Sequence, residues 1–106
     1  MPKYMVTGSY SLDGVKEIVT EGASSRVEAA RQLFEAVGGS LEAMYFAYGS
    51  DDVVIIFDVP DNVSVAALSL LVVAKGALEP RVTVLLTPDE VDQAAEMAAS
   101  FLVPAG

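Results

Sequence analysis

The chain has 106 residues, of which 53% are hydrophobic and 20% charged, a composition suited to one globular domain over residues 1–106 and too apolar for a disordered segment. Fifteen acidic residues against six basic ones give a net charge of −9, which opposes approach to a phosphate backbone, so nucleic acid is not an expected partner. Cysteine and histidine are both absent; disulfides, thiolate chemistry and the commonest general base and metal ligand go with them, and neither metal nor cofactor is expected.

Lys3 to Tyr10 is rich in β-branched and aromatic residues and reads as a strand, followed by a turn at Leu12-Asp13-Gly14. Val15, Ile18 and Val19 then recur at helical spacing until Gly22-Ala23-Ser24-Ser25 interrupts them. Ser25 and Glu28 have the spacing of a capping box, in which hydroxyl and carboxylate each take a free backbone N–H. The stripe Val27, Ala30, Leu33, Phe34 and Val37 predicts a second helical stretch, which Gly38-Gly39 ends. Leu41 to Tyr48 alternates loosely as a second strand. Gly49-Ser50-Asp51 is turn chemistry, and Asp52 to Val59 is a third strand, so the two form a hairpin.

Pro60-Asp61 stops that strand, and Asn62 or Ser64 is placed to cap a helix running to about Lys75 and ending at Gly76. This helix is apolar nearly all round, which predicts burial. Its run from Val65 to Ala74, broken only by Ser69, falls far short of the roughly 20 residues that cross a bilayer. Glu79 to Leu86 reads as a fourth strand. Thr87-Pro88-Asp89-Glu90 opens a last helix with a capping threonine, proline at the first helical position and a capping-box glutamate. Val91, Ala94, Ala95 and Ala98 or Ala99 form its narrow apolar face, and Phe101-Leu102-Val103-Pro104 an apolar tail. Met1-Pro2-Lys3-Tyr4 does not begin a signal peptide, so a cytoplasmic protein without membrane association is expected.

The order β-α-β-β-α-β plus a C-terminal helix is the ferredoxin-like α+β arrangement, a four-stranded antiparallel sheet with its helices on one face. A sheet covered on one side should alternate apolar and polar residues. Here Val53, Ile55 and Phe57 oppose Val54 and Ile56, and Tyr45 and Ala47 oppose Met44 and Phe46, so both faces are apolar. The bare face amounts to roughly 400 Å² before side-chain relief, the scale at which exposure marks an interaction site. A homodimer or higher homo-oligomer formed by sheet-on-sheet packing is therefore expected, with the C-terminal helix or tail adding contacts. The alternative is that this helix folds back over its own open face.

Several segments together resemble the GYD-domain family, a group of small proteins without an assigned activity. They are Met1-Pro2-Lys3-Tyr4 with Ser9-Tyr10, Gly14-Val15-Lys16, Gly39 to Phe46 (GGSLEAMYF), Gly49 to Val59, Pro60 to Ser64 (PDNVS) and Leu85 to Glu90 (LLTPDE). The resemblance implies a dimeric α/β-barrel type of assembly. The family's Gly-x-Tyr-Asp motif reads Gly49-Ser50-Asp51-Asp52 here, so its tyrosine is replaced by Asp51.

No catalytic constellation is expected. Ser24, Ser25 and Ser64 read as caps rather than nucleophiles, since no histidine exists to activate them. The candidate ligand-binding residues are Tyr10, Tyr45, Tyr48, Asp52 and Asp58. The tyrosines suit the aromatic wall of a pocket for a small apolar molecule, or plain half-buried strand positions. Asp52 is either a turn carboxylate taking backbone N–H bonds or a group at a pocket mouth. Asp58, if it faced the core, would titrate abnormally; at a strand end it would bond to backbone or to Arg81. Lys3 and Arg81 are read as neighbours near the starts of their strands, fit to hold an anion or to pair with carboxylates. Two functional classes follow: a self-associating binding or structural module, and a small cofactor-independent enzyme, isomerase- or monooxygenase-like, known by fold-level analogy alone. The enzyme requires a cavity of at least ~300 Å³ lined by Tyr10, Tyr45 or Tyr48.

Overall fold

The computed structural model describes residues 1–102. Along the chain lie β1 (Lys3–Tyr10), α1 (Leu12–Glu21), α2 (Ala23–Ala36), β2 (Ser40–Phe46), β3 (Val53–Asp58), α3 (Asn62–Lys75), β4 (Leu78–Leu85) and α4 (Pro88–Leu102). The sheet order is β2-β3-β1-β4 with every neighbouring pair antiparallel. This is the ferredoxin-like α+β topology expected from the element order.

Register divides the sheet into two faces. Tyr4 lies opposite Phe57 and Val84, and Val6 opposite Ile55 and Val82; with Met44 and Phe46 of β2 these residues face the helices. Met5 lies opposite Ile56 and Thr83, and Thr7 opposite Val54 and Arg81, on the other face. A bulge between Leu41 and Ala43 sets Ala43 opposite Ile56 and Tyr45 opposite Val54, returning β2 to the common alternation.

The core comprises Tyr4, Phe34, Val53, Ile55, Phe57, Val59 and Leu68. Phe57 is its centre, with ring centroids 4.4 Å from Phe34 and 5.7 Å from Tyr4. The buried Tyr4 hydroxyl donates to Asn62 Oδ1 at 2.6 Å, so its polar tip is not left without a partner.

The helix boundaries depart from the sequence reading in ways that have local causes. Leu12-Asp13-Gly14 is the first turn of α1 rather than a separate turn, because Ser11 Oγ accepts the Gly14 N–H at 3.1 Å. The interruption is confined to Gly22, whose φ of 87° turns the chain so that α2 starts at the next residue. Ser24 and Ser25 therefore lie inside α2, no side chain caps its start, and the Ser25–Glu28 capping box does not form; Glu28 instead pairs with Arg31 at 3.5 Å. At α3 neither Asn62 nor Ser64 is the cap. Asp61 Oδ1 accepts from the Ser64 N–H and hydroxyl, each at 2.9 Å. The amide first and then the hydroxyl hold the Asp61 carboxyl below its usual range.

One correction and one choice between alternatives concern exposure. The apolar α3 is not a buried core helix: only Leu68 is buried, while Val63, Leu70, Leu71 and Val73 are exposed. And α4 does not fold back over the open face. Its capping box forms as read from the sequence, with Thr87 N–H donating to Glu90 Oε1 at 3.0 Å and Glu90 N–H to Thr87 Oγ1 at 3.2 Å. Yet none of its residues is buried. The molecule measures 67 × 30 × 22 Å with a radius of gyration of 17.3 Å, against about 13 Å for a compact chain of this size. Of the apolar tail, Phe101 and Leu102 belong to α4; Val103 and Pro104 lie outside the described residues.

Candidate functional site

A cavity of about 160 Å³ opens between α2, α3 and the helix-covered face of the sheet. Its floor is Met44, Ile55 and Leu78, and its walls are Ala29, Ala30 and Leu33 of α2 with Leu71 and Val72 of α3. Three polar side chains join this apolar lining: Tyr10, Arg26 and Lys75. Tyr10 is the last residue of β1, and its ring stacks on Phe46 at 6.3 Å. Burial pushes its hydroxyl above the ordinary value of 10.0, an effect the nearby Arg26 partly opposes and Asp52 reinforces. The hydroxyl thus remains a donor throughout the neutral range. Arg26 Nη1 lies 3.3 Å from Glu17 and 3.6 Å from Glu21 of α1. Lys75 has no carboxylate within 4.0 Å among the described residues.

The other sequence candidates are elsewhere. Tyr45 stands on the open face of the sheet and Tyr48 in the β2–β3 loop, both exposed, so the structure does not gather the tyrosines at one cavity. Among the five candidates only Tyr10 lines it, and its volume is about half the ~300 Å³ required of a pocket for catalysis on a small molecule. Asp58 faces the open side and pairs with Lys3, 3.2 Å away, rather than with backbone or Arg81. The Lys3 ammonium also donates to Glu42 at 2.7 Å; that bond first, and Asp58 next, raise its pKa despite partial desolvation.

Lys3 and Arg81 do not converge. Lys3 lies opposite Leu85, whereas Arg81 lies opposite Thr7, because antiparallel β1 and β4 begin at opposite ends of the sheet. Arg81 pairs instead with Asp51. The open face is thus bounded at one end by Lys3, Glu42 and Asp58 and at the other by Arg81 and Asp51. Between them run Met5, Thr7, Ala43, Val54 and Ile56, flanked by the exposed Tyr45.

A model of the GYD domain matches residues 4–95. The chain belongs to the GYD-domain family. No curated protein matches it. In this GYD domain the motif segment has a structural explanation. Asp52 Oδ2 accepts the Tyr10 N–H at 2.9 Å, the Asp52 N–H donates to Gly8 O at 2.8 Å, and Ala47 N–H donates to Asp52 O at 2.9 Å. Asp52 therefore ties the β2–β3 hairpin to the end of β1, the turn-carboxylate reading of the sequence. Asp51 pairs with Arg81.

Sequence reasoning missed Arg26 and the apolar walls of the cavity. The walls lie on three separated elements and carry no motif. The available signal was scarcity: with six basic residues in the chain, one set four residues beyond the Gly22 break, on the apolar side of its helix, stands out. Among the described residues no group of three or more His, Cys, Asp or Glu side chains converges on a metal-sized space, and no helix is long and apolar enough to cross a membrane.

Proposed function

We propose that this GYD domain is a self-associating binding or structural module, a homodimer or higher homo-oligomer in which the open sheet faces pack together and α4 embraces the partner. The observation that carries the reading is α4. Its apolar residues Val91, Met97, Phe101 and Leu102 are 50%, 72%, 89% and 82% exposed, although the helix is well capped and projects from the body. A fifteen-residue helix with an apolar stripe and no buried residue among those described needs a partner surface.

The open face supports the same reading. Its central apolar strip is rimmed by ion pairs at both ends, the pattern of an interface with an apolar core and a polar edge. The exposed Leu70 and Val73 of α3 and Val82 and Val84 of β4 offer further surface for an α4 arriving from another copy. A binding or structural role is preferred over catalysis because the cavity wall has no carboxylate and its one tyrosine is held protonated.

Sedimentation equilibrium of the whole chain from about 1 to 100 µM tests the proposal. A dimer or larger species that Ile56→Glu dissociates is expected. A single monomeric species across that range overturns it.

A further inference from the structure

The cavity beneath α2 and α3 lies on the opposite side of the sheet from the proposed association face and calls for its own explanation. Its volume of about 160 Å³ compares with the ~150 Å³ engineered cavity that admits benzene. It therefore has room for an apolar body of about six carbons and little more. The lining is aliphatic on three sides, with Ala29 and Ala30 leaving the space that larger residues would fill.

The polar groups are all donors. Tyr10 contributes a hydroxyl for which no hydrogen-bond partner occurs among the described residues, and Arg26 a guanidinium already engaged by Glu17 and Glu21. Lys75, the last residue of α3, contributes an ammonium without a carboxylate within 4.0 Å among the described residues. In a chain of net charge −9, two of the six basic residues line this one cavity, and neither an aspartate nor a glutamate lines it with them. An apolar pocket with a few convergent polar groups is the usual form of a small-molecule site, and here Lys75, the lining cation without a carboxylate within 4.0 Å among the described residues, favours negative charge.

We propose that this cavity binds a compact monoanion, an aromatic or short branched carboxylate whose apolar body rests among Leu33, Met44 and Val72. Its carboxylate accepts from Lys75 and from the Tyr10 hydroxyl. Arg26, its charge offset by Glu17 and Glu21, is held in the cavity wall by α1.

The four methionines make the test position-specific. Met44 lines the cavity, Met5 lies on the opposite sheet face, Met97 on α4 and Met1 at the N-terminus. Methyl-labelled full-length protein is titrated with sodium benzoate and, separately, with neutral benzamide. Benzoate is expected to move the Met44 methyl resonance saturably and leave those of Met5 and Met97 in place. Benzamide should bind at least about tenfold more weakly, as loss of a charge-assisted hydrogen bond implies.

Lys75→Gln, at an exposed position, should bring benzoate down to the benzamide level without altering benzamide. Ala30→Leu, which fills the space, should abolish both, with circular dichroism reporting that the fold is kept. No saturable Met44 shift by about 10 mM benzoate overturns the proposal. So does equal binding of benzoate and benzamide, or a response confined to Met5 or Met97. None of these outcomes bears on the oligomeric state, which sedimentation reads separately.

Discussion

Replacing Phe101 by alanine separates a helix that is merely exposed from one that is an interface element. Phe101 is 89% exposed within its own chain, so removing its ring costs the isolated fold almost nothing, within about 0.5 kcal/mol for a surface change. If α4 docks on a second copy, the same ring is buried once in each protomer. Full burial of such a side chain contributes about 1.5–3 kcal/mol, and two-fold symmetry counts it twice. The dimer then loses about 3–6 kcal/mol, a weakening of the dissociation constant by about two to four orders of magnitude. Sedimentation velocity over a dilution series measures that constant, and chemical denaturation at concentrations below it measures the fold. A dissociation constant within about threefold of the parent's would refute the role given to α4. A large loss of monomer stability would instead show that Phe101 packs against its own chain.

Four further outcomes are expected. Gly39→Ala should destabilise the fold by several degrees in Tm, because a Cβ there overlaps the Asp58 carbonyl and stands 2.8 Å from Val59 Cγ1, whereas Gly49→Ala, with nothing within 4 Å, should be close to neutral; equal melting temperatures would contradict the packing described. Tyr10 has a folded pKa above its ordinary 10.0. The unfolded chain therefore loses that proton first, and stability is full below pH 10 and falls as pH rises through the folded value. Urea midpoints measured from pH 8 to 11.5 should show this fall and Tyr10→Phe should flatten it; a Phe variant with the parent's pH dependence would count against it. Thr87→Ala removes a cap on a helix with no buried residue among those described, so its cost of about 1 kcal/mol should appear as faster amide exchange in α4 with the Tm of the body unchanged, and a matching fall in Tm would show α4 to be packed. Asp52→Ala leaves the half-buried Tyr10 N–H without its acceptor, a loss of about 1–3 kcal/mol that should also reduce the near-ultraviolet dichroism of the Tyr10–Phe46 stack; an unaltered spectrum would speak against the hairpin tie.

The strands and their order were legible because alternation, turn chemistry and the β-α-β-β-α-β sequence all point to one topology. Caps were legible where the whole signal is local, as at Thr87 and Glu90, and misread where it is shared. At α3 three capping residues stand within four positions, and only the chain's approach from β3 decides that Asp61 takes the Ser64 N–H. At α2 the backbone turn at Gly22 made a side-chain cap unnecessary. The exposure of α3 was misread because an all-apolar helix implies burial, and hydropathy does not say whether the covering surface comes from the same chain. The site was the least legible part. Tyr10 was recognised as an aromatic at a strand end, but its neighbours Arg26, Met44 and Lys75 are brought to it by tertiary packing alone.

The motif segment connects these observations. Asp52 and Gly8 join the β2–β3 hairpin to the end of β1. That junction fixes Tyr10, whose ring lies against Phe46 and which lines the cavity. The adjacent Asp51 pairs with Arg81 at the edge of the open face. Two consecutive aspartates thus serve the two faces of one sheet, Asp52 by fixing the end of β1 that carries Tyr10 to the cavity and Asp51 by holding Arg81 at the edge of the open face. The Asp51–Arg81 pair is screened by solvent and stays weak, so of the two it is Asp52, bonded to the half-buried Tyr10 N–H, that fixes the hairpin.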